Sequence, residues 1–583
     1  MKKFINAPED VERQVVDGYV KTYPGMIAKA ADDIVVRAHR KQGKVALLSG
    51  GGMGHEPAHL GYVGAGMLDA AVGGAIYTSP AVDRISAGID AVAPGNTGVL
   101  LVIKNYTGDV INFKMAQDAA RDEGVDCDHV IVNDDVAVGS PTDRAQRRGV
   151  AGTVFVHKCA GAAAEAGKPL AEVKRVAEKV IDNVRTMGVA IAPCTVPAAG
   201  KPGFELADDE MEMGVGIHGE PGIRREKMEP VDAMVDEILE HVLADIDYAG
   251  HEVAVLVNGA GGTPDYELAL VANHVHDVLA ERHIPVWHTY MGNYLTSLEM
   301  RGFSISLLRL DDELKGLLEA PSQAPAWTQG AAQVNEEVAP ELAGADGASS
   351  AADVAAGPAA TAAEAGAVAS ADATASDPAT ALVVRVLGAV ADALDAHKDE
   401  LTELDMPIGD SDHGINMARG FDAVRELLPE LAGTDAATAL KKAGVTVVSR
   451  VGGSSGPLYG TLLRKLGAAV KKQGDLTLDS LAAGLEAGLT GIEELAGGKP
   501  GDKTMLDAIA PAVDALKAAA AAGTPAKEAL ASAAQAASDG AEATVPLVAR
   551  KGRASYLGER SVGHKDPGAA SFALIMQTVA EQL

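Results

Sequence analysis

Asp405, Asp410 and Asp412 stand close together in LDMPIGDSDHGINM, a stretch broken by Pro407 and Gly409. A loop can converge such carboxylates. Mg²⁺ takes hard oxygen ligands beside substrate phosphates, so the triad is a candidate for holding two ions against a nucleotide. The competing reading is that Asp410 or Asp412 caps the helix that follows. An EF-hand is disfavoured, because Gly414 stands where its fifth loop position needs a carboxylate and the distal Glu is missing. VGGSSGPLYGT sets Gly452, Gly453, Ser454, Ser455 and Gly456 ahead of a helical run. Backbone N–H groups and hydroxyls there can approach phosphate oxygens closely. The segment matches neither a P-loop nor the protein-kinase glycine loop. GGKPGDKTMLD and GRASYLGERSVGHKDPGAAS add Lys503, Arg553, Arg560 and Asp566 in small-residue loops whose default reading is solvation.

A second group of chemistry-bearing residues precedes these. SGGGMGHEPAHLG carries His55, Glu56 and His59, a literal HExxH match. Zinc binding by that motif needs both histidines on one face of a regular helix, and Gly50, Gly51, Gly52, Gly54 and Pro57 are incompatible with one. A histidine in a glycine-rich strand-to-helix turn is better suited to hydrogen-bonding a small ligand. IKNYTGD supplies Lys104, Asn105, Tyr106 and Asp109, and GVGIHGEPG places His218 among glycines where backbone can approach a ligand; the competing readings are turn residues for the first and an exposed histidine for the second.

The elements that must position these residues fall into two classes. KVALLSGGG, TGVLLVIKNYTGD, DHVIVNDDV and HEVAVLVNGAGG are apolar runs ending in glycine or turn residues, separated by helix-like stretches, so the N-terminal part is expected to be α/β. Ligands in such folds sit at the carboxyl ends of the strands, where these motifs lie. The C-terminal part has apolar residues at helical spacing and few strand signals, so an all-helical bundle or barrel is expected. Between them the composition turns to Ala, Gly, Ser, Pro and acidic residues, which cannot bury enough apolar area to offset ordering. The expected division is 1–320, with a subdivision near 185–200, a linker over 321–378, and 379–583.

With 583 residues the chain is multidomain, and 47% hydrophobic against 22% charged residues is ordinary globular composition. A net charge of −31 argues against nucleic acid and anionic membrane surfaces as partners. Cys127, Cys159 and Cys194 show no CxxC spacing, so neither a disulfide framework nor a zinc site is expected and the thiols read as reduced and cytoplasmic. The N-terminal MKKFINAPEDVERQVV turns acidic before any apolar stretch, and no run of about 18 apolar residues occurs, so neither secretion nor membrane spanning is expected.

Taken in order, SGGGMGHEPAH, KNYTGD, GIHGEPG, GDSDHGINM, GGSSGPLYGT and GRASYLGERSVGHKDPGA resemble the dihydroxyacetone kinase family over nearly the whole chain outside the linker. The resemblance implies a ketose-binding K domain and an ATP-binding helical L domain, in the single-chain, ATP-dependent arrangement, with a homodimer formed through K domains. It implies that His218 adds to the ketone carbon as a covalent hemiaminal and that Asp109 is the general base. His55 and Lys104 would hydrogen-bond the ketose, and Gly52 and Gly54 would shape its loop. Asp405, Asp410 and Asp412 would hold two Mg²⁺ ions. His413, Gly414, Ile415 and Asn416 would continue the nucleotide loop, Ser454 and Ser455 would face phosphates, Thr504 and Met505 would flank the nucleotide, and Arg553 with Asp566, Pro567 and Gly568 would complete the pocket. Met53 departs from the family's usual Ser, which opens erythrulose as an alternative to dihydroxyacetone. Other readings on the same scaffold are cyclisation of a flavin nucleotide, transfer from a phosphocarrier, and a non-catalytic ketose sensor.

Overall fold

The computed structural model of the chain describes residues 2–330, 377–409 and 411–583. Its first sheet contains β1 (Ile27–Ala31), β2 (Ile34–Arg37), β3 (Val45–Met53), β4 (Ala70–Ile76), β5 (Gly98–Lys104) and β6 (Cys127–Val132). They lie in the order β1-β2-β4-β3-β5-β6, with β3, β4, β5 and β6 mutually parallel and β1 and β2 added antiparallel. The chain passes from β3 to β4 on one side and then to β5 on the other, so the carboxyl end of β3 is a switch point where a crevice opens. Alternation along the strands feeds two cores. Leu47, Leu100 and Val102 pack under the helices Thr153–Glu165 and Leu170–Asn183, while Leu48, Leu101 and Ile103 pack against Val82–Val92 and Thr107–Asp122.

The second sheet begins at Val184, at the edge of the range expected for a subdivision. It comprises β7 (Val184–Ala192), β8 (Glu210–Met213), β9 (Arg224–Lys227), β10 (Val253–Gly259), β11 (Val286–Gly292) and β12 (Arg301–Arg309), ordered β11-β10-β12-β7-β8-β9. Helices Val231–Asp245 and Asp265–Glu281 cover one face, and the other face shares its core with the first sheet. His218 lies in the connection between β8 and β9.

The N-terminal unit continues into the stretch expected to be linker. Ser322–Ala324 and Trp327–Gln329 form a hairpin whose backbone is tied to the first unit by Gln323 N–H to Ala65 O at 2.8 Å and Ala326 N–H to Gly61 O at 2.8 Å. Buried Trp327 packs on Tyr290 and Tyr294 with ring centroids 4.6 and 5.8 Å apart. One large aromatic anchors a segment whose small-residue composition concealed it. At the other end, Asp377 accepts from the Ala379 and Thr380 N–H groups with Pro378 at the first helical position, so the helical unit begins inside the expected linker as well. Residues 331–376 lie outside the described residues.

Eight long helices among the described residues of the second unit, from Pro378–Ala396 to Pro567–Glu581, each pack on the next, and the last returns to the first, closing a ring. Neighbours around the ring run antiparallel, so alternate helices begin on the same rim. Among the described residues no helix is long and apolar enough to cross a membrane. Trp327→Ala is expected to destabilise the N-terminal unit by about 3–5 kcal/mol, read as a lowered midpoint in its unfolding transition by calorimetry.

Candidate functional site

The crevice at the end of β3 is built from glycine. At Gly51, with φ of +150°, an added Cβ would lie 2.3 Å from Lys104 Nζ and 3.4 Å from Asp109 Oδ2. At Gly52 it would meet the Tyr77–Thr78 backbone at 2.5 Å. These positions let a lysine, a carboxylate and a neighbouring turn come together where side chains would exclude them. Met53 does not occupy that space, since its sulfur lies over Gly73. Gly54 turns the chain with φ of +96° into His55.

His55 is fully buried. Its Nδ1 donates to Thr296 O at 2.8 Å, which leaves Nε2 as an acceptor with no partner among the described residues. Burial, with His218 and Lys104 nearby, holds its pKa well below the ordinary imidazole value, so the ring is neutral. Its ring stacks on Tyr77 at 5.1 Å and meets the edge of His218 at 4.8 Å, and Tyr77 and Tyr106 stand at 5.0 and 4.7 Å from His218. His218 Nδ1 donates to Glu220 Oε1 at 2.7 Å while its backbone N–H donates to Glu220 Oε2 at 2.9 Å. Burial lowers the His218 pKa against the pull of Glu220, so the ring is neutral with its proton on Nδ1 and a lone pair on Nε2. Burial alone would raise Glu220, but His218, Arg148 and Arg553 outweigh it and hold the carboxyl well below its usual range.

Asp109 lies in the first turn of Thr107–Asp122, where the helix favours a carboxylate. Its Oδ1 accepts from Ser79 and its Oδ2 is 3.4 Å from Lys104 Nζ. Lys104 donates to Gly50 O at 3.1 Å and to His59 Nε2 at 3.0 Å, and His59 Nδ1 continues to His157 Nε2 at 2.9 Å. The HExxH match is therefore no zinc site: His59 holds Lys104, and no regular helix carries the two histidines.

In the helical unit the candidates converge on a cavity of about 450 Å³ that also borders the first unit at Asn105, Thr107 and Gly108. Asp405, Asp412, His413, Asn416, Ser454, Ser455, Thr504, Met505, Arg553, Asp566, Pro567 and Gly568 all line it. Gly414 and Ile415 do not. A Cβ on Gly414 would lie 2.0 Å from Lys398 O, so that glycine lets two helices approach closely. Asp410 lies outside the described residues. Four helices that alternate around the ring, His413–Leu431, Ser455–Gln473, Leu506–Ala522 and Pro567–Glu581, point their N-termini at this cavity, and Arg550, Lys551 and Arg553 border it. Partial positive charge and cations together favour a polyanion.

Asp405 Oδ2 accepts from the Asp412 and His413 N–H groups at 3.0 and 3.4 Å, so Asp405 caps the helix. Asp412 makes no cap and instead accepts from Thr78 Oγ1 of the first unit at 2.6 Å. Burial first, and neighbouring Asp405 second, push Asp412 up to about 6. Two carboxylates at the ends of one short loop in the cavity wall are hard oxygen donors, a set that fits Mg²⁺. Asp566 caps its helix through Ala569 N–H at 2.7 Å and is pushed up to about 7, by burial first. Lys503 also lines the cavity, and its Nζ donates to Thr544 O at 2.8 Å.

The two halves meet through contacts that the motifs did not disclose. Arg553 Nη2 donates to Tyr77 O at 3.1 Å, Gly453 N–H to Ser79 O at 3.2 Å, and Arg560 Nη2 to Glu212 Oε1 and Gly222 O at 2.9 and 2.8 Å. Arg148 lies 5.5 Å from the Tyr556 ring centre. The sequence reading missed Glu220, although a carboxylate two positions after His218 in GIHGEPG is a signal that could have found it, whereas YTSP carries none beyond a turn.

His157 gives a pH test of this buried chain, since burial and Lys104 push it down to about 3 from 6.5. As pH falls below 6.5 the unfolded chain gains a proton that the folded one refuses, so stability is lost on acidification by up to about 1.4 kcal/mol per pH unit. His157→Gln is expected to flatten that part of the slope in urea unfolding measured on either side of 6.5.

Residues 17–326 match the Dak1 domain and residues 407–581 the DAK2 domain. The chain is similar to triokinase/FMN cyclase of Rattus norvegicus, 37% identical over 100% of this chain and 99% of that protein. It is similar to D-erythrulose kinase of Mycolicibacterium smegmatis, 38% identical over 100% of this chain and 98% of that one. A solved structure, the dihydroxyacetone kinase from C. freundii in complex with AMP-PNP and Mg²⁺, is similar at 31% identity and a TM-score of 0.53 with 100% of both chains covered. With both domains in order on one polypeptide and relatives that match it end to end, the chain belongs to the single-chain dihydroxyacetone kinase family and is a phosphotransferase.

Proposed function

We propose that the protein is an ATP-dependent ketose kinase that phosphorylates a terminal hydroxyl of dihydroxyacetone or of the four-carbon ketose erythrulose, held covalently on His218. The observation that carries this reading is the meeting of two unlike sites. A neutral histidine with its Nδ1 proton held by Glu220 sits in an aromatic pocket, directly across a short turn from a cavity ringed by four helix N-termini and an acidic pair.

His218 Nε2 bonds to the ketone carbon as the C=O π bond breaks, and the ring's Nδ1 proton is passed by way of Glu220 to the resulting alkoxide, so the adduct is neutral and Glu220 ends ionised as it began. Only a carbonyl can form it, so glycerol is excluded although its hydroxyls match. His55 Nε2 and Lys104 hold the ketose hydroxyls. Asp109, fixed by Ser79, accepts the proton of the hydroxyl that attacks the γ-phosphate. Asp405 and Asp412, with Asp410 as third carboxylate, would hold two Mg²⁺ ions, which when bound neutralise phosphate charge. The backbone at Ser454 and Ser455 and the Arg553 guanidinium orient the nucleotide, and transfer depends mainly on this positioning.

Likeness to an erythrulose kinase supports the four-carbon sugar as an alternative substrate. Because Met53 packs over Gly73, Met53→Ser is expected to leave the ratio of kcat/KM for erythrulose and dihydroxyacetone within about twofold, whereas a larger change would place Met53 in substrate choice. The same reading includes a cytoplasmic homodimer through K domains, which light scattering tests.

The deciding assay is Mg-ATP consumption with dihydroxyacetone, erythrulose and glycerol. Turnover of a ketose, none of glycerol, and loss in His218→Ala is the expected outcome; ketose binding without turnover would favour a sensor. Since the neutral imidazole is the active form and its pKa is lowered, kcat/KM for the ketose is expected to persist below the ordinary histidine range near 6.5 and fall only at lower pH.

A further inference from the structure

The turn that follows β4 touches both sites with three successive residues. Tyr77 enters it with φ of +63°, a conformation rare for an aromatic residue, which the surrounding contacts must hold. Its ring walls the ketose pocket beside His55 and His218, and its carbonyl accepts from Arg553. Ser79 donates to Asp109 in the K domain, and its carbonyl accepts from Gly453 N–H in the L domain. Between them buried Thr78 donates to Asp412 Oδ2 at 2.6 Å, while Gly452 lies so close that a Cβ there would be 2.5 Å from the Thr78 methyl. Ile76 O, 3.4 Å from the same hydroxyl, is an alternative acceptor within the K domain.

We propose that Thr78 is a positioning residue for phosphoryl transfer, tying the Asp412 carboxylate of the L domain to the turn that frames the ketose pocket. A carboxylate is free to rotate about its last bond unless one oxygen is anchored. Asn416 on the same helix also bonds this carboxylate, so anchoring Oδ2 from the opposite domain adds the second restraint that fixes the plane of the group, with lone pairs left for a cation. The anchor forms only when the domains are docked, so the acidic loop is aligned at the moment the ketose hydroxyl and the nucleotide face each other. Thr78 touches neither reactant in this account. The inference rests on the ketose-kinase reading given above.

Thr78→Val keeps the shape and the methyl contact and removes the donor, and Thr78→Ser keeps the donor. In the full chain, Thr78→Val is expected to lower kcat for ketose phosphorylation by about 10–100-fold with the ketose KM within about twofold. Hydrogen exchange of the Gly453 amide in nucleotide-free protein is expected to quicken about tenfold, since a bond to a charged group is lost at the docked surface. Thr78→Ser is expected to restore both. Wild-type kcat in Thr78→Val, or a ketose KM that rises as kcat falls without rescue by Ser, would overturn the proposal. Wild-type protein that phosphorylates no ketose would overturn the kinase reading and this role with it, an outcome distinct from an active wild type matched by Thr78→Val.

Discussion

Everything in the aromatic pocket of the first domain depends on which nitrogen of His218 carries the proton. Glu220 settles it with two bonds, one to the ring and one to the backbone of the same residue, so ring orientation and tautomer are fixed together. The arrangement is costly, because a buried carboxylate must be stabilised, and the surroundings are organised around that need. Arg148 is buried beside Glu220 and paired with Asp135, it supports the Gly214 carbonyl, and it lies beneath Tyr556 of the helical domain. Charge balance in the first domain is thereby linked to docking of the second.

The nucleotide side works by a different economy. The chain is strongly acidic overall, yet four helix N-termini and the Arg550, Lys551 and Arg553 side chains gather positive charge around this cavity. An antiparallel ring brings alternate N-termini to one rim as a result of connectivity. The acidic pair then sits within a positive rim, where a cation and a polyanion can neutralise each other.

Positions at the end of a strand were legible in the sequence: Asp109, Lys104 and His55 lie where glycine-ended apolar runs placed them, whereas His218 stood out only as a histidine among glycines and lies in the connection between β8 and β9. The α/β and helical halves were legible from periodicity for the same reason. Residues that act by facing across space were not. Tyr77, Thr78 and Ser79 look like an ordinary turn until the L domain is set against them, and Arg550 and Lys551 fall just ahead of a motif that drew attention to Arg553. Close packing was not legible either, since Gly414 inside GDSDHGINM lies against the Lys398 carbonyl. Composition concealed the hairpin at 322–329 because one tryptophan outweighs several small residues in buried area.

The ring of helices carries a consequence for how such a domain can change over evolutionary time. Most core positions tolerate replacement by another apolar side chain of similar volume. Helix length has no such freedom. Removing one full turn from Ser455–Gln473 or Pro567–Glu581 would preserve the inward stripe but withdraw that N-terminus from the cavity by about 5.4 Å, farther than a hydrogen bond can reach. Insertions and deletions should therefore accumulate on the opposite rim, where the connections between the same helices meet no ligand.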